Sequence, residues 1–118
     1  MPRAKKVTEP PVFAVKAELF KTLAHPLRVR ALEVLAQGDR SVGELAAEVD
    51  ADPAHVSQQL GVLRRAGLVS TRREGTTIYY SIKDRLLVDV LEVARRFLIA
   101  SLSENESLLA SLRAAGRG

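Results

Sequence analysis

The chain has 118 residues, 47% of them hydrophobic, and a formal net charge of +4, a size that predicts one domain around a single core. It contains no cysteine, which excludes disulfides and thiolate metal sites within this chain. The sequence also has no apolar run of about 18 residues and no signal-peptide pattern. We therefore predict a soluble, cytoplasmic protein with no membrane partner.

The first segment, residues 1–12, contains Arg3, Lys5, Lys6 and three prolines. This composition predicts a flexible basic tail, with contact to phosphate groups as the alternative. One folded domain is predicted to follow over residues 13–118.

Two helices are predicted at the start of that domain. The first runs from about Val15 to Leu23, and the second opens at Pro26 and stops at Gly38. The second helix has an apolar stripe made of Val29, Leu32, Leu35 and Ala36.

Two further start signals follow closely. Ser41-Val-Gly-Glu44 has the pattern of a capping box, and the helix it opens is predicted to end near Asp50. Asp52 as N-cap and Pro53 at the first helical position then predict a second helix, which Gly67 ends. The predicted buried stripes are Val42, Leu45 and Val49 in the first of these helices, and Val56, Leu60 and Leu63 in the second.

The second of these helices has an unusual outward face. At about 100° per residue, Ala54, Gln58, Gly61 and Arg65 point away from the buried stripe, with Ser57 beside them. Short and amide side chains can approach base edges and exchange hydrogen bonds with them. The pattern therefore favours a helix that reads DNA in the major groove, and the alternative is a polar face that only meets water.

A β-hairpin is predicted next, because residues 68–74 and 77–82 alternate with period two around a turn at Gly75. Arg72 and Arg73 precede the turn, where the wing of a winged helix-turn-helix would meet phosphates. From Pro53 to Arg85 there are six basic and two acidic residues, so this window carries a charge equal to that of the whole chain. Such a concentration of positive charge suits phosphate neutralisation, although arginines are common on solvated hairpins.

The last predicted element is a long helix capped by Asp84. Thirty helical residues would span about 45 Å, more than a compact domain of this size needs, so part of its apolar face is expected to pair with a second copy. A two-fold dimer would place two reading helices about 34 Å apart on one side of a duplex. The alternative is a helix folded back on its own domain and broken near Ser103, where a second capping-box pattern occurs.

Two runs, residues 19–32 (LFKTLAHPLRVRAL) and 56–69 (VSQQLGVLRRAGLV), resemble the signatures of the ArsR/SmtB family of bacterial repressors. With the hairpin and the last helix, the resemblance covers roughly residues 14–102. It implies a mainly α fold with a small β-hairpin, about five helices plus a two-stranded wing. It also implies a homodimeric repressor that binds double-stranded DNA at an imperfect palindromic operator and is released by an inducer.

Two sets of site residues are predicted: DNA-binding residues from the resemblance and the charge pattern, and dimer residues from the apolar positions of the first and last helices. The family contacts DNA through the start of the reading helix; Ser57 and Gln58 match best, while Pro53, Ala54 and Gly61 depart from its usual polar or basic residues. The predicted DNA-binding residues are Ser41, Pro53, Ala54, His55, Ser57, Gln58, Gln59, Arg64, Arg72, Arg73 and Thr76. The predicted dimer residues are Leu19, Phe20, Leu87, Leu91, Ala94, Phe97 and Leu98.

The signal to which the protein responds is not indicated by the sequence. Many relatives bind metal through a Cys-x-Cys motif, which this chain lacks, or through an Asp/His set on the last helix, which here has no histidine. His25 is therefore interpreted as structural, no metal or cofactor is predicted, and the inducer stays open. No catalytic constellation is apparent, and the alternative function is a protein-interaction module that uses the long last helix.

Overall fold

Five helices and three strands make up the part of the chain that the computed structural model describes, residues 9–116. Most of the predicted basic tail lies outside the described residues. In chain order the elements are α1 (Val12–Leu23), α2 (Pro26–Leu35), β1 (Arg40–Ser41), α3 (Val42–Val49), α4 (Pro53–Arg65), β2 (Val69–Glu74), β3 (Thr77–Ile82) and α5 (Leu86–Gly116). The chain divides into two compact units, the first ending at Lys83 and the second beginning at Asp84.

The two predicted helix starts in the middle of the chain are confirmed. The Ser41 hydroxyl accepts a hydrogen bond from the Glu44 amide (3.2 Å), and Glu44 Oε1 accepts one from the Ser41 amide (2.9 Å). Asp50 ends α3 in the left-handed conformation, and Asp52 Oδ1 then accepts from the Ala54 amide (2.9 Å) to begin α4. These local bonds satisfy amides that the first turn of a helix leaves unpaired.

The core of the first unit lies where α2, α3 and α4 meet. The predicted stripe of α4 is buried, as is Leu45 of α3. Fully buried large side chains in this core are Leu32, Leu35, Leu45, Val56, Leu60 and Leu63. Each such side chain contributes about 1.5–3 kcal/mol by leaving water, so this stripe determines which side of α4 faces inward.

The sheet has one strand more than the predicted two-stranded wing. Its order is β1-β3-β2 with antiparallel pairing, and β1 joins it through Arg40 opposite Tyr80 and Ser41 opposite Tyr79. A two-residue strand carries no alternating pattern, which is why the sequence did not indicate it. The predicted hairpin itself is confirmed, and Gly75 takes the positive φ of 63° that its turn requires.

The side chain of Arg40 in β1 contacts α3 and the loop before β1. The Arg40 guanidinium forms an ion pair with Glu48 of α3, and its Nη1 donates to the Gly38 carbonyl (2.7 Å). The hydrogen bond from Arg40 lowers the pKa of Glu48. β1 is therefore joined to β3 by backbone pairing and to the last turn of α3 by this ion pair.

The second unit consists of α5 and its cap. Asp84 Oδ1 accepts from the Leu86 amide (2.9 Å), as predicted, and the helix then continues for 31 residues. The alternative of a break near Ser103 is wrong, because Ser103 lies inside this continuous helix. A helix of this length spans about 46 Å.

We predict that Asp52→Ala lowers the free energy of unfolding by about 1 kcal/mol, because the α4 amide that Asp52 caps loses its acceptor. Urea denaturation at one fixed protein concentration measures this change. The matched control is Asp52→Asn, which retains a capping oxygen and is expected to stay close to the wild type. An Asn variant as unstable as the Ala variant would show that the charge, and not the cap, provides the stabilisation.

Candidate nucleic-acid interface

The first turns of α4 present a polar surface to solvent. Ala54, His55, Ser57 and Gln58 are all exposed, as is Pro53 at the helix start. Within residues 9–116, the side chains of Ser57 and Gln58 make no hydrogen bond to protein, so their donors and acceptors are available to a ligand. Ser57 and Gln58, the two residues predicted to contact bases, are therefore neighbours whose side chains have no protein partner within residues 9–116.

Gln59 does not lie on this surface, which corrects its prediction as a DNA-binding residue. Its side chain is 7% exposed, and its Oε1 accepts a hydrogen bond from Arg28 Nε (2.7 Å). Arg28 Nη1 also donates to the Thr22 carbonyl (3.0 Å). Helical spacing places Gln59 beside Val56 and Leu63, so the buried stripe itself indicated its inward position. Arg28, which sequence reasoning missed, joins the end of α1 to α4 through this residue.

The two arginines at the end of α4 are exposed and make no ion pair within the described residues. A side-chain carbon built on Gly61 would lie 3.3 Å from Nη1 of Arg65. The Arg65 guanidinium is therefore folded over the glycine one turn earlier in the helix. Arg64, the other cation and a predicted DNA-binding residue, lies on the flank of the outward face.

The two wing arginines differ in their surroundings. Arg72 forms ion pairs with Asp39 and with Glu74 (Nε to Oε2, 2.9 Å), and its guanidinium lies 4.8 Å from the centre of the Tyr79 ring. The hydrogen bond to Glu74 raises the pKa of Arg72 above its ordinary value. Arg73 is exposed and makes no ion pair in the described part of the chain. This difference could not be predicted from local sequence, because Asp39 lies 33 positions before Arg72.

The two remaining predicted DNA contacts, Ser41 and Thr76, lie at the edge of α3 and at the tip of the wing. Ser41 is half-buried, and its hydroxyl oxygen accepts the capping hydrogen bond from Glu44. The hydroxyl group can still donate a hydrogen bond to a phosphate. Thr76 is exposed in the turn after Gly75.

The predicted dimer residues vary in exposure. In the first unit Phe20 is 60% exposed and Leu19 is half-buried. In the second unit Phe97 is 68% and Leu98 59% exposed, Ala94 is exposed and Leu91 is half-buried. Leu87 is only 7% exposed, which leaves little of its side chain for a partner and corrects its prediction as an interface residue.

The two histidines approach each other between the start of α2 and the start of α4. The ring centres of His25 and His55 are 6.3 Å apart, and Nδ1 of His25 is buried without a hydrogen-bond partner. Among residues 9–116 no group of three or more His, Cys, Asp and Glu side chains is placed to hold a metal ion. Over the same residues, no helix has the length and apolar character to cross a membrane.

The fold has the three parts of a winged helix-turn-helix, a class of DNA-binding proteins. These parts are the exposed helix α4, the helix α3 joined to it by a tight turn, and the basic hairpin of β2 and β3. Comparison with known proteins agrees with this class. Residues 25–71 match the sequence profile of the family described as "Bacterial regulatory protein, arsR family". The chain therefore belongs to the arsR family of bacterial regulatory proteins and is a DNA-binding transcriptional regulator.

Three relatives illustrate the similarity. The HTH-type transcriptional regulator Rv0081 of Mycobacterium tuberculosis is 50% identical over 107 residues, which are 90% of this chain and 94% of that protein. The crystal structure of Rv0081 matches with a TM-score of 0.75 and covers 82% of this chain and 98% of that one. The biofilm growth-associated repressor of Agrobacterium fabrum is 50% identical over 76 residues, 64% of this chain and 65% of that protein. A third relative is the homodimeric winged helix-turn-helix DNA-binding domain of Mb0332 from Mycobacterium bovis, which is 30% identical in sequence. Its solution structure matches with a TM-score of 0.72 and covers 79% of this chain and 86% of that one.

We predict opposite behaviour for two adjacent glutamines. Gln59→Ala should lower the free energy of unfolding by about 1.5–3 kcal/mol, because the half-buried Arg28 loses a charge-assisted hydrogen bond. Gln58→Ala, the matched control one residue away, should change it by less than about 0.5 kcal/mol, because Gln58 is exposed. Chemical denaturation of both variants at equal protein concentration measures the difference, and equal losses would contradict the assigned positions.

Proposed function

We propose that this protein is a homodimeric repressor that binds double-stranded DNA at an imperfect palindromic operator. The observation that carries the proposal is the exposed, unpaired polar surface at the start of α4, with unpaired cations on the same helix and on the wing. The name of the Agrobacterium fabrum relative, a repressor, and the description of the Mb0332 domain as homodimeric and DNA-binding support the repressor and dimer parts.

The residues divide into reading and holding groups. Ser57 and Gln58 would exchange hydrogen bonds with base edges. The amide of a glutamine can donate to N7 of adenine and accept from its N6 amino group. Pro53 and Ala54 have no side-chain donor and would make only apolar contacts, for example with a thymine methyl. The holding group would contact phosphates, which position the protein without reading the sequence, and consists of Ser41, Arg64, Arg73 and Thr76.

Arg72 would act differently from Arg73. Its guanidinium is already paired with two carboxylates, so any DNA contact would first have to displace Asp39 or Glu74. An exposed ion pair contributes at most about 1 kcal/mol, so the wing can exchange these partners for a phosphate. Arg73 has no such competition, and we therefore assign it the larger share of wing binding.

The dimer would form through apolar side chains that the protomer leaves exposed. Large exposed apolar patches on a protein mark interaction sites, and Phe20 and Phe97 are the two most suitable aromatic anchors of the predicted set. A two-fold dimer repeats the same surface on both subunits, so each subunit would offer one reading helix to each half-site.

The first test of this function uses a duplex from the DNA upstream of the protein's own gene and a scrambled duplex of the same composition. We expect a salt-sensitive complex that prefers the natural duplex, with Gln58→Ala reducing this preference and Arg73→Ala weakening both duplexes about equally. Loss of one phosphate contact should reduce the slope of log affinity against log salt by about 0.9. Gel shifts and fluorescence anisotropy measure these quantities.

Arg113→Ala, an exposed arginine near the end of α5, is the matched control and should leave binding unchanged. Absence of any selective complex would overturn the proposed function. A stable complex with a different protein, combined with absence of selective DNA binding, would instead favour the interaction-module alternative.

A second prediction concerns assembly. Phe97→Asp should shift the protein from dimer to monomer, because a charge placed in an apolar interface has no partner there. Sedimentation velocity at several protein concentrations measures the distribution. Glu104→Asp, a conservative change at another exposed position of α5, serves as control, and a Phe97→Asp protein that remains fully dimeric would contradict this assignment.

A further inference from the structure

Gly61 occupies an unfavourable position for a glycine. It lies inside α4, on the outward face that also contains Gln58 and Arg65, and glycine is the least favourable helix residue after proline. Its φ is ordinary for a helix, so the backbone does not require it there. The missing side chain at Gly61 instead leaves space beside the helix for a neighbouring side chain.

What it allows is a close approach by Arg65. A carbon built on Gly61 would lie 3.3 Å from Nη1, 3.9 Å from Nη2 and 4.0 Å from Cζ of Arg65. Residues four apart share a helix face, and side chains lean toward the helix start. The guanidinium thus reaches back about one turn, or about 6 Å along the helix, toward Gln58.

The cation placed there is free to bind a ligand. Arg65 is exposed and makes no ion pair or hydrogen bond within residues 9–116. A guanidinium offers donors in a planar fork that fits two oxygens of one phosphate. An unpaired arginine that folds back over Gly61, about one turn after the exposed Gln58, is therefore suited to an anion that flanks the bases which that glutamine would contact.

We propose that Gly61 and Arg65 act as a pair, in which the bare glycine lets the Arg65 guanidinium fold back and bind a DNA backbone phosphate next to the bases read by Gln58. This proposal rests on the proposed function, since it requires α4 to be the reading helix. A phosphate is favoured over a base because the first residues of a reading helix contact base edges, whereas Gly61 and Arg65 lie on its later turns.

The decisive experiment moves the cation to the neighbouring position. Binding to the natural and scrambled duplexes is measured across a salt series for the wild type, Arg65→Ala, and the double variant Gly61→Lys with Arg65→Ala. Arg65→Ala should reduce the salt slope by about 0.9, so that raising salt from about 50 to about 200 mM weakens it about threefold less than the wild type. The double variant should regain the wild-type slope, because a lysine at position 61 returns one positive charge to the same outward face of α4.

Gly61→Ala provides a test that a structural role alone would fail. Alanine favours the helix, so thermal stability should rise, while its methyl group displaces the guanidinium by a few tenths of an ångström and should weaken DNA binding slightly. Arg113→Ala is again the control for the loss of one exposed positive charge. Stability and affinity moving in opposite directions would support the pair.

The outcomes separate this proposal from the proposed function. A wild type without selective binding overturns the function itself. A selective wild type whose Arg65→Ala variant keeps the full salt slope overturns only the Gly61–Arg65 pair. A loss confined to the natural duplex, with the slope unchanged, also overturns it, since that result assigns Arg65 to base reading.

Discussion

The buried stripe of α4 decides which side of the helix faces inward, and the hydrogen bond between Arg28 and Gln59 limits the rotation of α4 about its axis within that arrangement. The buried apolar stripe of α4 contributes the larger free energy, but apolar contacts are not directional and tolerate small rotations of a helix about its axis. The hydrogen bond from Arg28 Nε to Gln59 Oε1 is directional, and a second bond from the same guanidinium to the Thr22 carbonyl fixes Arg28 itself. Because Gln58 directly precedes Gln59 in the helix, any rotation of α4 that broke this bond would also turn Gln58 away from its present direction.

The distribution of charge shows why a count of basic residues is a poor guide to a DNA surface. The window from Pro53 to Arg85 carries the full net charge of the chain, yet Arg72 within it is neutralised locally by Asp39 and Glu74. Arg65 and Arg73 have no such partners within the described residues. The cations that can neutralise phosphates without first losing a protein contact are therefore fewer than the sequence suggests.

The features that the sequence predicted well are those decided by neighbouring residues. The capping box at Ser41, the cap at Asp52 and the turn at Gly75 each depend on contacts within a few positions, and each is present. The features it missed depend on residues far apart along the chain. Gln59 is paired with a residue 31 positions away, and the strand β1 exists only because β3 lies beside it. Gln59 was predicted to contact DNA although its spacing from Val56 and Leu63 is compatible with an inward position, and only the fold provides its partner Arg28.

The wing and the helix-turn-helix are joined by more than the chain itself. β1 pairs with β3 of the wing and is followed directly by α3, whose first turn Ser41 caps. Arg40 ties β1 to α3, and Arg72 ties β2 to Asp39 just before β1. Fixing these elements before binding avoids the entropy loss of ordering them on the DNA, which is a main cost of association. The short third strand, absent from the sequence-based prediction, thus joins the wing to α3, the helix that precedes the reading helix.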